Sequence, residues 1–227
     1  MKSYHFPLAA TVLTGDLKGS TKASLNDVNA TMDVLAQAAT EITGWVVENP
    51  TRFTRSRGDG WQMVIIPPEY ALRAALFLIA RLTATEHAIS TRIAIGIGQT
   101  DSFGTQNLAD ASGTAFEYSG RALDKMRGLN TLSIEGYGVT PFHRIIVRLL
   151  SERCLRWTRE QAEAVAMYLH PDNPTLNDLA PRFGISPQAV NYRLKGAAAV
   201  EIRLSLREWE DASKMTKHRA DTPEKGS

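Results

Sequence analysis

Asp59-Gly60 closes a tight turn between two short β-prone runs, Thr51 to Ser56 and Trp61 to Ile66, and this hairpin sets the frame for the residues on either side. Upstream, an apolar run predicts a strand over 7–15. A helix over 23–47 follows, because Leu25, Val28, Met32, Leu35, Ala39, Ile42 and Val46 recur at three- and four-residue steps, and Asn49-Pro50 stops it. Downstream, Pro67-Pro68 ends the second hairpin strand and opens a helix over 69–84, with Leu72, Ala75, Leu76, Ile79 and Leu82 as its apolar face. Residues 90–98 are β-branched and alternating, so they read as a buried strand. A polar loop over 99–111 leads to a helix over 113–127 and a short strand over 131–134.

Strand, helix, hairpin, helix, strand is the order of a ferredoxin-like or palm core: an antiparallel-containing sheet with helices on one face. Gly136-Tyr-Gly138 and Thr140-Pro141 mark a boundary, and beyond it the chain reads as helical over 141–153, 158–170, 175–184, 187–195 and 197–212. The expected organisation is α+β: a palm-type domain over 1–139, an all-α domain over 140–212 and a polar tail over 213–227 that reads as disordered.

Charge is unevenly shared. Residues 1–140 hold 12 Lys and Arg against 13 Asp and Glu, whereas residues 141–227 hold 14 against 11. A basic excess in the helical part is compatible with a nucleic-acid partner. The single cysteine, Cys154, excludes an internal disulfide and points to a reducing cytoplasm; its leucine neighbours favour packing over reactivity. No secretory leader is legible at Met1 to Pro7, and the best apolar run, Ala71 to Leu82, is broken by Arg73 and Arg81, so no membrane span is expected. The five histidines show no metal-ligand spacing, and neither a Walker A loop nor a Gly-x-Ser-x-Gly elbow occurs.

Chemistry concentrates in two places in the first part. Thr14-Gly15-Asp16-Leu17-Lys18-Gly19-Ser20-Thr21 puts a carboxylate at the end of a strand, with a small-residue loop before the next helix. Backbone N–H groups of Gly19, Ser20 and Thr21 can face an anion there. Alone this is an ordinary strand–helix turn. Arg55-Ser-Arg57-Gly58-Asp59-Gly60 adds a second carboxylate, held clear between two glycines. If the sheet brings Asp16 and Asp59 to one edge, they can share divalent cations, as in-line phosphoryl chemistry requires.

These segments resemble class III nucleotidyl cyclase domains. The first resembles their first metal-aspartate motif and the second their second. Arg92-Ile-Ala-Ile-Gly96-Ile-Gly98 resembles the strand that follows, and Gly113 to Leu123 resembles their late helix. The likeness spans residues 8–134. It is closer still to SatD-like proteins, which resemble such a domain followed by a helix-turn-helix. The resemblance implies Asp16 and Asp59 as ligands of Mg²⁺ or Mn²⁺, and a nucleoside triphosphate as ligand or substrate. It implies Arg121 as the arginine steadying phosphate charge, and Asp110 and Arg55 at the base-reading positions. It also implies sites completed between two subunits. Glu117 departs, standing where the family carries a ribose-orienting asparagine; its negative charge opposes a triphosphate. The reading of Asp110 as an N-cap stays open beside its reading as a base contact.

Residues 175–196 have the layout of a helix-turn-helix. Gly184 permits the left-handed turn, Ile185 plugs the core, Ser186 caps the second helix and Pro187 occupies its first turn. Ser186, Gln188, Asn191, Tyr192, Arg193 and Lys195 are the candidate DNA contacts. Pro181 is expected to shorten or bend the first helix. A helix over 197–212 carries Ala198, Ile202, Leu206 and Trp209 as a stripe suited to dimerisation or to packing within the chain. The combined expectation is a cytoplasmic, dimeric DNA-binding transcriptional regulator with a nucleotide- and metal-sensing domain. The alternative is an active class III-type nucleotidyl cyclase whose C-terminal helices serve assembly or targeting.

Overall fold

The computed structural model describes residues 9–45, 52–56, 58–105 and 107–220, with side chains described through Lys214. Asn49-Pro50, Arg57 and the last seven residues of the chain lie outside the described residues. Among the described residues, five strands form one sheet: β1 (Ala9–Leu17), β2 (Arg52–Arg55), β3 (Gly60–Ile65), β4 (Thr91–Gln99) and β5 (Leu132–Gly136), in the order β2-β3-β1-β4-β5. β1 pairs antiparallel with β3 and β4, and β5 is added parallel to β4. The result is a mixed α+β fold, and the strand–helix–hairpin–helix–strand order closes as the sequence predicts.

Helices α1 (Leu25–Thr43) and α2 (Ala71–Ala84) cover one face of the sheet. There Leu13, Leu17, Trp61, Met63, Ile65, Ile93 and Ile95 point into the main core. Helix α3 (Thr114–Lys125) lies on the other face, over Ala10, Val12, Val64 and Ala94. The two helices of the strand–helix–hairpin–helix–strand core therefore lie on one face as expected, and the third, α3, which is outside that core, takes the other face. Glycine explains the third: a Cβ on Gly96 or Gly98 would overlap the α3 backbone at Thr114, Ala115 and Ser119. The Gly-Ile-Gly run of β4 is the track on which α3 rests.

Five further helices follow: α4 (Pro141–Cys154), α5 (Arg159–Tyr168), α6 (Leu176–Phe183), α7 (Pro187–Ala197) and α8 (Ala199–Ala220). They do not stand apart from the sheet. α4 packs on β5 and α5 packs on α2, so one hydrophobic core runs from Leu13 to Leu206. Arg73, on α2, is buried and clasps Glu210 of α8 through Nε at 2.6 Å and Nη2 at 2.9 Å, while Nη1 donates to the Leu169 carbonyl. Cys154 is buried, and burial pushes its thiol pKa up, which fits the packing role.

Two local expectations change. α6 continues through Pro181, because the carbonyl that loses its donor belongs to exposed Asn177, where water can replace it. α8 continues to Ala220, past Ala212, where the sequence suggests a disordered tail; no Gly or Pro interrupts Ala199 to Asp221.

Candidate functional site

The site is built at the end of β1. Register places Asp16 opposite Gly60 on β3 and opposite Arg92 on β4. Asp59, in the hairpin turn beside Gly60, accepts the Leu17 N–H at its carbonyl (3.2 Å). The two aspartates thus lie at the same end of the sheet, which the sequence alone leaves open. The edge is stiffened from below: the indole of buried Trp61 donates to Thr91 Oγ1 at 3.0 Å, and that hydroxyl donates to the Asp16 carbonyl at 2.7 Å. Gly15 has no side chain because Trp61 fills that space.

Strand alternation turns Thr14, Asp16 and Arg92 toward the α3 face, where the Thr14 and Ser119 hydroxyls share a 2.7 Å hydrogen bond. Arg92 grips Asp16 with two donors: Nε to Oδ1 at 2.8 Å, and Nη2 to Oδ2. The hydrogen bonding of Arg92 to Asp16, then the charges of Asp16, Asp59 and Asp124, hold the Arg92 pKa above its usual value against the opposing effect of burial. Asp59 Oδ2 accepts from the Ser20 hydroxyl. Ser20 follows Gly19, which has left-handed backbone (φ 75°) and opens a one-turn helix over Ser20–Lys22. The Gly19-Ser20-Thr21 loop is therefore tied to Asp59, with Gly19 and Thr21 exposed.

Paired hard oxygens at a part-exposed edge suit a divalent cation, and a guanidinium already stands in for one on Asp16. The donor set fits, with Arg92 as the competitor for Asp16. Among the described residues, no group of three or more His, Cys, Asp or Glu side chains gathers in a metal-binding arrangement. Arg92 was missed as a site residue by sequence reasoning. The signal was present as the only charge in the strand Thr91–Gln99, yet its partner depends on register, which sequence alone leaves open.

The remaining candidates lie elsewhere. Arg55 is on the opposite sheet face, where it donates to Asn29 of α1 at 2.8 Å and to the Gly58 carbonyl. Glu117 and Arg121 occupy the solvent side of α3, 3.7 Å apart, with Arg121 over the Tyr118 ring. Asp110 lies in the loop after β4, at the far end of the sheet from Asp16. There it accepts from Thr105 N and Oγ1, hydrogen bonds that hold its pKa below the usual carboxylate value. Within one chain Glu117, Arg121 and Asp110 do not join Asp16 and Asp59.

In the helical part, Gly184 (φ 64°) turns the chain between α6 and α7, and Ser186 caps α7 by accepting from Ala189 N at 3.2 Å. Gln188, Tyr192 and Lys195 are exposed, and Asn191 is half-buried. Arg193 is engaged: it donates to Glu163 at 3.0 Å and stacks over Phe183.

No family model and no curated protein matches the chain. Solved structures to which it is similar include nucleotidyl cyclase domains. One is the catalytic core of a rhodopsin-guanylyl cyclase with converted specificity in complex with ATPαS (20% identity over 56% of this chain and 77% of that one, TM-score 0.43). Another is the guanylate cyclase domain of RhGC from Catenaria anguillulae in complex with GTP (20% identity, 56% and 77%, TM-score 0.42). A bacterial light-regulated adenylyl cyclase matches at 14% identity over 58% of this chain and 44% of that one, with TM-score 0.37. None of the helices described is long and apolar enough to cross a membrane.

Proposed function

We propose that the sheet domain binds a nucleoside triphosphate with Mg²⁺ or Mn²⁺ and acts as a nucleotidyl cyclase-type domain. The observation that carries this reading is the meeting of Asp16 and Asp59 beside the Gly19-Ser20-Thr21 loop, with Arg92 among the acids. Asp16 and Asp59 would hold the cation, which offsets phosphate charge. Arg92 is the nearest guanidinium able to donate to phosphate oxygens in place of Asp16. The loop N–H groups supply further donors. Arg121, Glu117 and Asp110 would reach this edge only from a second chain, so the active unit is a homodimer. Incubating the protein with ATP, GTP, CTP and UTP plus Mn²⁺ is the direct test. Cyclic product that disappears in Asp59→Ala is the expected result. Metal-dependent binding of a nucleotide without product would make the domain a sensor, and no binding of any nucleotide would sink the reading.

A second reading concerns α6 and α7. The Gly184 turn, the Ser186 cap and the exposed row Gln188, Tyr192 and Lys195 support a helix-turn-helix that places α7 in the major groove of DNA. The protein would then be a transcriptional regulator responding to nucleotide. Arg193 is a poor probe of this, since its loss also breaks the Glu163 pair. Tyr192→Ala with Lys195→Ala should weaken binding in a mobility-shift assay at least about tenfold. Unchanged affinity, or no DNA binding by the unsubstituted chain, would remove the DNA-binding role.

A further inference from the structure

Between the C-terminal end of α3, edge strand β5 and α4 lies a cavity of about 230 Å³, whose wall meets the Asp16 site at Met126, where the carbonyl accepts from Arg92 Nη1 at 3.4 Å. It is smaller than the pockets that hold drug-sized ligands, which points to a small occupant. Four cations line it: Lys125, Arg127, Arg144 and Arg148. The one carboxylate in its wall, Glu135, is taken by Arg144 at 2.8 Å. Arg127 spends Nη1 on the carbonyls of Asp124 and Met126 at the end of α3. Among the described residues, neither Lys125 nor Arg148 has an ion-pair or hydrogen-bond partner, and both are exposed.

The floor has a second feature. Ser133 sits on β5 with its hydroxyl oxygen buried and without a hydrogen-bond partner. Buried hydroxyls normally find partners, so an unpaired one in a cavity wall calls for a group the protein does not supply. Like charges gathered around a hollow also oppose each other unless an anion lies between them. One occupant answers both demands: a compact oxyanion that accepts from Ser133, Lys125 and Arg148.

We infer that this cleft is a binding site for a phosphate group, formed by Lys125, Arg148 and Ser133 with Arg127 at its rim. Arginine forks and a lysine point charge match tetrahedral phosphate oxygens, and Ser133 adds a neutral donor. The inference stands independently of any activity at Asp16 and Asp59. The phosphate could be free in solution or carried on a lipid headgroup, and the chemistry of recognition is the same.

Calorimetric titration of the full chain with inorganic phosphate, alongside sedimentation with phosphatidylcholine vesicles with and without phosphatidic acid, tests it. Binding should weaken at least about tenfold in Lys125→Ala/Arg148→Ala, whose side chains are exposed and whose loss leaves the fold intact by circular dichroism. Ser133→Ala should weaken it by a smaller factor, and Arg207→Ala, which removes a cation from α8 outside the cleft, should leave it unchanged. Binding of free phosphate with this pattern identifies a soluble ligand. Binding only to phosphatidic acid vesicles, with the same pattern, identifies a headgroup. The proposal is overturned if neither binds, if Lys125→Ala/Arg148→Ala binds as tightly as the parent, or if Arg207→Ala loses binding to the same extent as that double variant.

Discussion

Arg92 governs what the Asp16 carboxylate can do. Both oxygens of Asp16 are engaged by one guanidinium, so a cation must compete with Arg92 for them. Arg92→Ala should therefore tighten Mn²⁺ binding several-fold in a calorimetric titration, and at the same time weaken nucleotide binding. A structural role alone would weaken both. The pair is only partly buried, so its loss should cost about 1 kcal/mol of stability or less. Residue-scale chemistry was legible where it depends on chain order. Asp16 and Asp59 stand out as candidates from their places in the chain, whereas their arrival at one end of the sheet rests on strand order, with β3 antiparallel beside β1. It was not legible where it depends on register or on a face. Arg92 found Asp16 through a register that sequence does not fix, and Arg55 lies across the sheet from Asp16 because one step along a strand reverses the side chain. The departure at Glu117, visible in sequence, falls on an exposed helix face, where it pairs loosely with Arg121.

At the scale of elements, two glycines separate steric from conformational demands. Gly96 lies under α3, and Gly184 sits in open space with left-handed backbone. Gly96→Ala should cost about 3 kcal/mol in denaturant unfolding, because helix backbone must move. Gly184→Ala should cost about 1 kcal/mol, the penalty of left-handed backbone alone. Equal costs would contradict the packing of α3 on β4. The start of α4 is pH-sensitive. His143 Nδ1 accepts the Thr140 N–H at 3.0 Å in a capping box, and burial first, then Arg144, lowers its pKa from 6.5. In the folded protein the ring thus binds a proton less readily than in the unfolded chain. Its contribution to stability is present above pH 6.5 and is lost as pH falls from there through the folded value. His143→Asn should flatten that part of the stability profile, read from urea midpoints at successive pH values. Helix starts were readable because caps are local: Ser186 with Pro187 appears as the sequence suggests. Helix ends were harder, since α8 simply lacks a stop signal.

For the molecule as a whole, the boundary at Gly136 to Thr140 marks where strands cease, yet the core continues across it. The cause can be seen in α2, in which every residue from Ala71 to Ala80 is buried. A helix buried all round needs a second covering layer, and α5 provides it. In sequence, Arg73 and Arg81 looked like interruptions of an apolar run. In the fold, Arg73 is the tie between the sheet part and α8, and its partner Glu210 lies far along the chain, beyond the reach of local patterns. The same geometry makes the two parts unfold together, so the intact protein should show one denaturant transition by fluorescence and by circular dichroism. Removing Glu210 leaves a buried guanidinium with only the Leu169 carbonyl. Glu210→Ala should accordingly cost about 3–5 kcal/mol. Arg73→Met/Glu210→Leu, which removes both charges, should recover most of that loss. Hydrogen exchange locates the damage: in Glu210→Ala, protection should fall first in α8 and α5, while β1, β3 and β4 keep theirs. Uniform loss across the sheet would mean that Arg73 and Glu210 hold α2 itself in place rather than joining the two parts.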